Sequence, residues 1–221
     1  MIIALDGPSG AGKSTLADSI AEKFGFIHID TGAMYRAIGV FVNDNGVATN
    51  DAENVIKLLD KLTVGVSFVD GVQTVSVNGE DVTKRIRQPE VSMFASNVSK
   101  IPAVREYLVA EQRRIAGENN IVMDGRDIGT VVFPNADLKI YLTASAEDRA
   151  TRRYKEQIEK GFDVKYEDVL SDVIRRDNQD MNRDVAPLKP AEDSVIVDTS
   201  GKEYHESLEI LTSLIEEKLS L

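Results

Sequence analysis

The run Gly7-Pro8-Ser9-Gly10-Ala11-Gly12-Lys13-Ser14-Thr15 combines glycines, a lysine and hydroxyls at a spacing suited to gripping a polyphosphate. It fits the pattern G-x-x-x-x-G-K-[ST] in full. The glycines let the backbone curl so that successive N–H groups point at phosphate oxygens. The helix expected to follow directs its positive end at the same anion. Lys13 has the reach for β- and γ-phosphates, and the Ser14 hydroxyl suits Mg²⁺. All nine residues are therefore candidates for binding a nucleoside triphosphate such as ATP. The bland reading, a glycine-rich turn with an exposed lysine, fits poorly with a buried-strand pattern before the loop and an amphipathic one after it. A second carboxylate, Asp124, ends the apolar run Ile121–Met123. There it either supports magnesium or caps the following turn, so Ser14 and Asp124 are the candidate metal residues.

Cations follow the ends of other apolar runs. After 26–29 comes Asp30-Thr31-Gly32-Ala33-Met34-Tyr35-Arg36, and after 121–123 comes Asp124-Gly125-Arg126-Asp127. After 138–142 comes a helical pattern bearing Arg149, Arg152 and Arg153. Gly161-Phe162 just beyond a polar stretch suggests that this trio sits in a mobile flap. From 165, Tyr166, Val169, Leu170, Val173 and Ile174 form an apolar stripe that continues as Arg176, Asp180 and Arg183. Such a stripe reads as a helix leaving the core for a polar cavity, or as a ladder of salt bridges at a frayed end. One arginine alone reads as a solvated face. Several at strand ends, in a chain of net charge −11, read as a local anion site.

These residues need elements to hold them. Short apolar runs at 2–5, 26–29, 121–123, 138–142 and 195–197 alternate with helical patterns around 33–43, 51–61, 90–116, 146–160, 165–182 and 203–219. The alternation predicts an α/β, three-layer fold with a five-stranded parallel sheet. Ser145 with Asp148 predicts a helix start, and Pro102 breaks 90–116 into two helices. Residues 64–82 differ: Asp70-Gly71 and Asn78-Gly79 flank β-rich segments, predicting a small inserted antiparallel β-meander. The length of 221 residues suits one domain with a sizeable core. The acidic balance argues against nucleic acid or an anionic membrane as partner. The absence of Cys excludes disulfides and thiolate metal sites. No apolar run reaches membrane-spanning length, and the N-terminus meets a charge too early for a signal peptide, so a cytoplasmic location is expected.

Together the motifs Asp6–Thr15, Asp30–Arg36, Asp124–Pro134, Arg176–Arg183 and Val185–Leu188 resemble the bacterial cytidylate kinase family in its long form. The resemblance covers nearly the whole chain, and the meander is similar to the family's inserted sheet. Thr31 stands where many members carry Ser, and it keeps the hydroxyl. The resemblance implies a nucleoside monophosphate kinase of pyrimidine metabolism that uses Mg²⁺ with ATP and phosphorylates CMP and dCMP. It implies one domain of residues 1–221: a core (about 1–29, 118–148 and 164–221), a monophosphate-binding region (about 30–117) and a short lid (about 149–163). By the same resemblance Ser96, Arg105 and Asp127 read cytosine, and Arg176 and Asp180 contact ribose. Arg36, Arg126 and Arg183 hold the acceptor phosphate, while Thr31 and Tyr35 complete the CMP set. Lys13, Arg126, Arg183 and the lid arginines Arg152 and Arg153 form the catalytic set. A monomer is expected, because one compact domain with closing parts needs no partner.

The base chemistry is consistent with that assignment. Cytosine offers an N4 donor and acceptors at N3 and O2, matched by a carboxylate and by Arg and Ser donors. Uracil would set a carbonyl against Asp127, at a cost of roughly 1–3 kcal/mol. Two other readings of the residues stay open. A kinase acting on a hydroxyl acceptor, such as a sugar or shikimate, would use Asp30 or Asp127 as base, although the surplus of arginines favours an acceptor that already carries phosphate. A nucleotide-dependent switch would carry a guanine-reading Asn-Lys-x-Asp motif, and the sequence has none.

Overall fold

The computed structural model describes residues 1–69 and 71–220. In chain order the elements are β1 (Ile2–Asp6), α1 (Lys13–Phe24), β2 (Ile27–Asp30), α2 (Thr31–Asp44), α3 (Ala52–Leu59), β3 (Val64–Val69), β4 (Val72–Val77), β5 (Glu80–Asp81), α4 (Val91–Val98), α5 (Pro102–Ala116), β6 (Ile121–Gly125), β7 (Leu138–Thr143), α6 (Ala146–Glu159), α7 (Tyr166–Met181), β8 (Val195–Asp198) and α8 (Tyr204–Leu219). A 3₁₀ turn at Arg85–Arg87 precedes α4, and a π-helical turn at Ile128–Val132 follows β6. The fold is α/β, with a five-stranded sheet in the order β2-β6-β1-β7-β8 and a separate three-stranded sheet in the order β3-β4-β5.

The chain divides into two compact units, one of Met1–Phe26 with Asn120–Leu221 and one of Ile27–Asn119. In the first, β1 lies between β6 and β7, parallel to both, and Asp6 stands level with Gly125 and Tyr141. Ile3 and Leu5 of β1 pack with Leu16, Ala17 and Ile20 of α1 and with Leu211 and Ile215 of α8. Ala4, on the opposite face of β1, is fully buried as well, and burial on both faces is why the strand reads as an unbroken apolar run. α6 opens as expected, with the Ser145 hydroxyl accepting from the Asp148 N–H at 3.1 Å. Tyr166, Val169, Leu170 and Val173 of α7 pack with Ala150. Ile174, expected on that stripe, is instead 45% exposed, because the buried seam follows 169 and 173. The helix ends at Met181, so Arg183 lies in the loop beyond it.

In the second unit Met34, Ala37 and Ile38 of α2 share a core with Val64 and Val75 of the meander and with Val104 and Leu108 of α5. β3 and β4 pair antiparallel from Val64 opposite Val77 to Val69 opposite Val72. β5 adds only Ser76–Asp81 and Val77–Glu80. Asn78 and Gly79 take φ values of 51° and 86°, the left-handed pair that a two-residue hairpin of this type demands. The Asn78 side chain fixes the turn, accepting from the Thr63 N–H at 2.7 Å and donating to the Lys61 carbonyl at 2.9 Å. In the other turn expected from sequence, Asp70 lies outside the described residues. Pro102 begins α5 at its first turn, where its missing N–H costs nothing.

Candidate active site

The glycine loop runs from the end of β1 to the start of α1. Gly7 has φ of 150°, and a Cβ there would stand 2.0 Å from the Leu142 carbonyl oxygen, so only glycine fits. Lys13 is buried, and its ammonium donates to the Pro8 carbonyl at 2.8 Å, folded back across the loop. Burial, reinforced by Arg126, pulls its pKa down to about 7 against the opposing pull of Asp124, Asp6 and Asp180. A phosphate arriving in the loop restores the charge that burial removes.

The Ser14 hydroxyl donates to the Asp124 Oδ2 at 2.9 Å. Hydroxyl and carboxylate are both hard oxygen ligands, the donor type Mg²⁺ takes. No group of three or more His, Cys, Asp or Glu among the described residues forms a metal cage. A pair of protein oxygens suits a magnesium ion held chiefly by substrate phosphates and water.

Two arginines of α6 brace the loop from the side. Arg149, read from sequence as one of a mobile trio, is buried and held in place. Its Nε donates to the Ala144 carbonyl at 2.9 Å, and Nη1 donates to the Ser9 carbonyl at 3.1 Å. Nη1 and Nη2 also donate to the Asp177 carboxylate of α7, at 3.0 and 2.5 Å. Arg152 donates to the Thr199 hydroxyl and carbonyl at 3.2 and 2.7 Å and to the Ala11 carbonyl at 3.5 Å. Arg153 is half-buried.

A second cluster stands at the end of β6. Arg126 donates through Nε to Asp180 at 2.9 Å, and Arg183 lies 3.7 Å from Asp127. Burial works against both ions of the first pair, yet each holds the other's charge: Arg126 stays above its ordinary pKa and Asp180 below. Burial together with Arg153 and Arg126 pulls Arg176 down to about 10. The Nε of Arg176 is a buried donor with no hydrogen-bond partner. The first unit thus brings together Arg126, Asp127, Arg176, Asp180 and Arg183.

The second unit brings together another set. Asp30 caps α2 by accepting from the Ala33 N–H at 2.9 Å, and its Oδ2 accepts from Arg36 at 2.7 Å and Arg87 at 3.3 Å. Burial alone would raise the Asp30 pKa, but Arg36, Arg87 and His28 hold it at about 2. The guanidinium of Arg105 lies 5.7 Å over the Tyr35 ring and donates to the Ser99 carbonyl at 3.2 Å. Ser96 on α4 and Thr31 at the start of α2 are buried in the same unit.

Sequence reasoning missed Asp6. It is buried and accepts from the Ile128 and Gly129 N–H groups, both at 2.7 Å, which fixes the π-helical turn directly after Asp127. Burial lifts its pKa to about 6. The signal was present: a carboxylate ending a buried strand, as at Asp124. Asp177 and Arg87 were missed as well, one facing Arg149 and the other facing Asp30.

A buried strand, a phosphate-gripping glycine loop, a serine–aspartate oxygen pair and ordered arginines define a phosphotransferase of the P-loop class. Structural comparison agrees on the fold. A protein of unassigned function from Eubacterium ventriosum aligns with TM-score 0.53 at 13% identity, covering 98% of both chains. A shikimate kinase from Bacteroides thetaiotaomicron aligns with TM-score 0.50 at 14% identity, again covering 98% of both. The sequence narrows the class. The cytidylate kinase family model matches residues 3–217. The chain is 50% identical over 212 residues to a cytidylate kinase from Caldicellulosiruptor bescii, covering 96% of this chain and 94% of that one. It is 47% identical over 218 residues to a cytidylate kinase from Thermotoga maritima, covering 99% and 98%. The chain belongs to the cytidylate kinase family.

Proposed function

We propose that the protein transfers the γ-phosphoryl group of ATP directly to CMP, and to dCMP, giving CDP or dCDP and ADP. The observation that carries this reading is that a chain of the cytidylate kinase family holds a glycine loop and an ordered arginine set in one unit and a second ordered arginine set in the other. A phosphate oxygen of CMP attacks the γ-phosphorus, and the bond from that phosphorus to the β-bridging oxygen breaks. No general base is required, because a phosphate monoester with a second pKa near 6 is largely a dianion at pH 7. Lys13 holds the β- and γ-phosphates, while Arg126, Arg183, Arg152 and Arg153 spread the charge that develops in transfer.

Arg36, Arg126 and Arg183 take the acceptor phosphate, and the buried Nε of Arg36 is an open donor for it. Asp127 accepts from cytosine N4, Ser96 and Arg105 serve its acceptor edge, and Asp180 with Arg176 takes the ribose. Thr31 and Tyr35 border that nucleotide, the Tyr35 ring lying under Arg105. Ser14 and Asp124 would hold Mg²⁺, which supplies charge neutralisation at the phosphates when bound. Residues of about 149–163 act as a lid that excludes water, closing about its fixed end at Arg149. A monomeric, cytoplasmic enzyme of pyrimidine metabolism fits this reading. Among the described residues, no helix is long and apolar enough to cross a membrane.

A coupled ADP-release assay with Mg·ATP and CMP, dCMP, UMP, AMP, GMP or shikimate tests the reading. Turnover strongly favouring CMP and dCMP is expected. Turnover with shikimate but no nucleotide would assign the site to a hydroxyl acceptor.

A further inference from the structure

Gln73 is a polar residue of the inserted meander that the proposed chemistry leaves without a task. It lies on β4, and both ends of its side-chain amide bond the backbone of Asp30. The Asp30 N–H donates to the Gln73 Oε1 at 2.8 Å, and the Gln73 Nε2 donates to the Asp30 carbonyl at 3.1 Å. This is the two-bond pairing of a neighbouring strand, supplied by one side chain at the last residue of β2. An amide that is a donor at one end and an acceptor at the other satisfies both groups and fixes the rotation of the Asp30 peptide units.

That rotation matters because the Asp30 carboxylate is committed in two directions. One oxygen caps α2 through the Ala33 N–H, and the other grips Arg36 at 2.7 Å beside a longer contact to Arg87 at 3.3 Å. The fit is tight: a Cβ on Gly32 would lie 3.0 Å from the Asp30 Oδ1 and 3.3 Å from the Arg36 Nη1. With Nη2 tied to Asp30, the Arg36 Nε remains a buried donor with no partner. A buried unpaired donor costs free energy that an arriving oxygen recovers. Holding it in place before the ligand arrives lowers the ordering cost of binding.

We infer that Gln73 is a positioning residue for the acceptor phosphate, acting through Asp30 on Arg36. The inserted sheet is thereby a working part of acceptor binding and not only a covering for the α2 core. This inference rests on the reading of Arg36 as an acceptor-phosphate ligand, and the experiment separates the two.

Four proteins are compared in steady-state kinetics: the parent, Gln73→Met, Arg36→Ala and the double variant. Methionine keeps the length and volume of glutamine and removes both hydrogen bonds. Gln73→Met is expected to raise the KM for CMP about fivefold, with the KM for ATP and the melting temperature close to the parent. In the Arg36→Ala background the same change is expected to add nothing, because the group it positions is gone. An unchanged KM for CMP in Gln73→Met, with Arg36→Ala strongly impaired, overturns the role of Gln73 and leaves the reading of Arg36 standing. An equal rise in both KM values, or a further rise in the double variant, also overturns it by showing a general loosening. An Arg36→Ala protein with the parent's KM for CMP overturns the reading of Arg36 and the inference with it.

Discussion

Arg149 offers the sharpest test of how the glycine loop is held. Its side chain is 5% exposed and Asp177 is 14% exposed, so the pair is nearly dry. Replacing Arg149 by Met removes four hydrogen bonds at once, two to Asp177 and one each to the carbonyls of Ser9 and Ala144. It also strands a buried carboxylate. Removing one partner of such a pair costs about 3–5 kcal/mol. In a chain of 221 residues each kcal/mol is worth roughly 2–4 °C in melting temperature, so a fall of roughly 6–20 °C follows. Asp177→Leu strands the arginine instead and should cost a similar amount. The double variant Arg149→Met/Asp177→Leu leaves no buried charge and loses chiefly the two carbonyl bonds, roughly 1–3 kcal/mol. Urea unfolding of the four proteins should therefore show strong non-additivity, with a coupling of at least about 3 kcal/mol. The KM for ATP should rise in both proteins that lack Arg149, because the Ser9 carbonyl then has no side-chain anchor. Effects of the single changes that add within about 0.5 kcal/mol would refute the claim that this pair is a dry, mutually dependent brace.

Other consequences are read more simply. Lys13 in the unliganded protein titrates near 7, below the 10.5 of a free lysine, so at pH 8 it is mostly neutral until triphosphate arrives. Calorimetry of ATP binding at pH 8 in buffers of different ionisation enthalpy should show uptake of close to one proton, and no uptake would contradict the assignment. The same sign means the unfolded chain holds more protons between 7 and 10.5, so the cost of burying Lys13 eases as pH rises through that window. Asp127→Asn should cut the preference for CMP over UMP by roughly tenfold, since an amide can face either exocyclic group; an unchanged kcat/KM ratio removes Asp127 from base reading. Gly32→Ala, which crowds Asp30 and Arg36, should raise the KM for CMP severalfold and spare the KM for ATP, as checked by varying each substrate separately.

Much of this architecture is legible in the sequence, for local reasons. The glycine loop, the Ser145 start of α6, the Pro102 start of α5 and the Asn78-Gly79 turn each depend on a few adjacent residues whose backbone preferences agree. What stayed hidden depends on partners far along the chain. Arg149 lies on a polar helix, and nothing nearby announces that Ser9 and Asp177, 140 and 28 residues away, will enclose it. The π-helical turn after Asp127 exists because Asp6, more than a hundred residues earlier, accepts two successive N–H groups there. Ile174 was misplaced because an apolar stripe on a sixteen-residue helix does not reveal where the neighbouring helix ends its contact. Gln73 and Asp30 meet only because β4 lies against β2.

The central claim, direct phosphoryl transfer to CMP, is tested most plainly by following the γ-phosphorus. ATP labelled at that position is incubated with the protein, Mg²⁺ and CMP, and the products are separated. The account predicts label in the β-phosphate of CDP in amount equal to the ADP formed, with little release when CMP is absent. Label appearing as free phosphate on addition of CMP, with no labelled CDP, would contradict it.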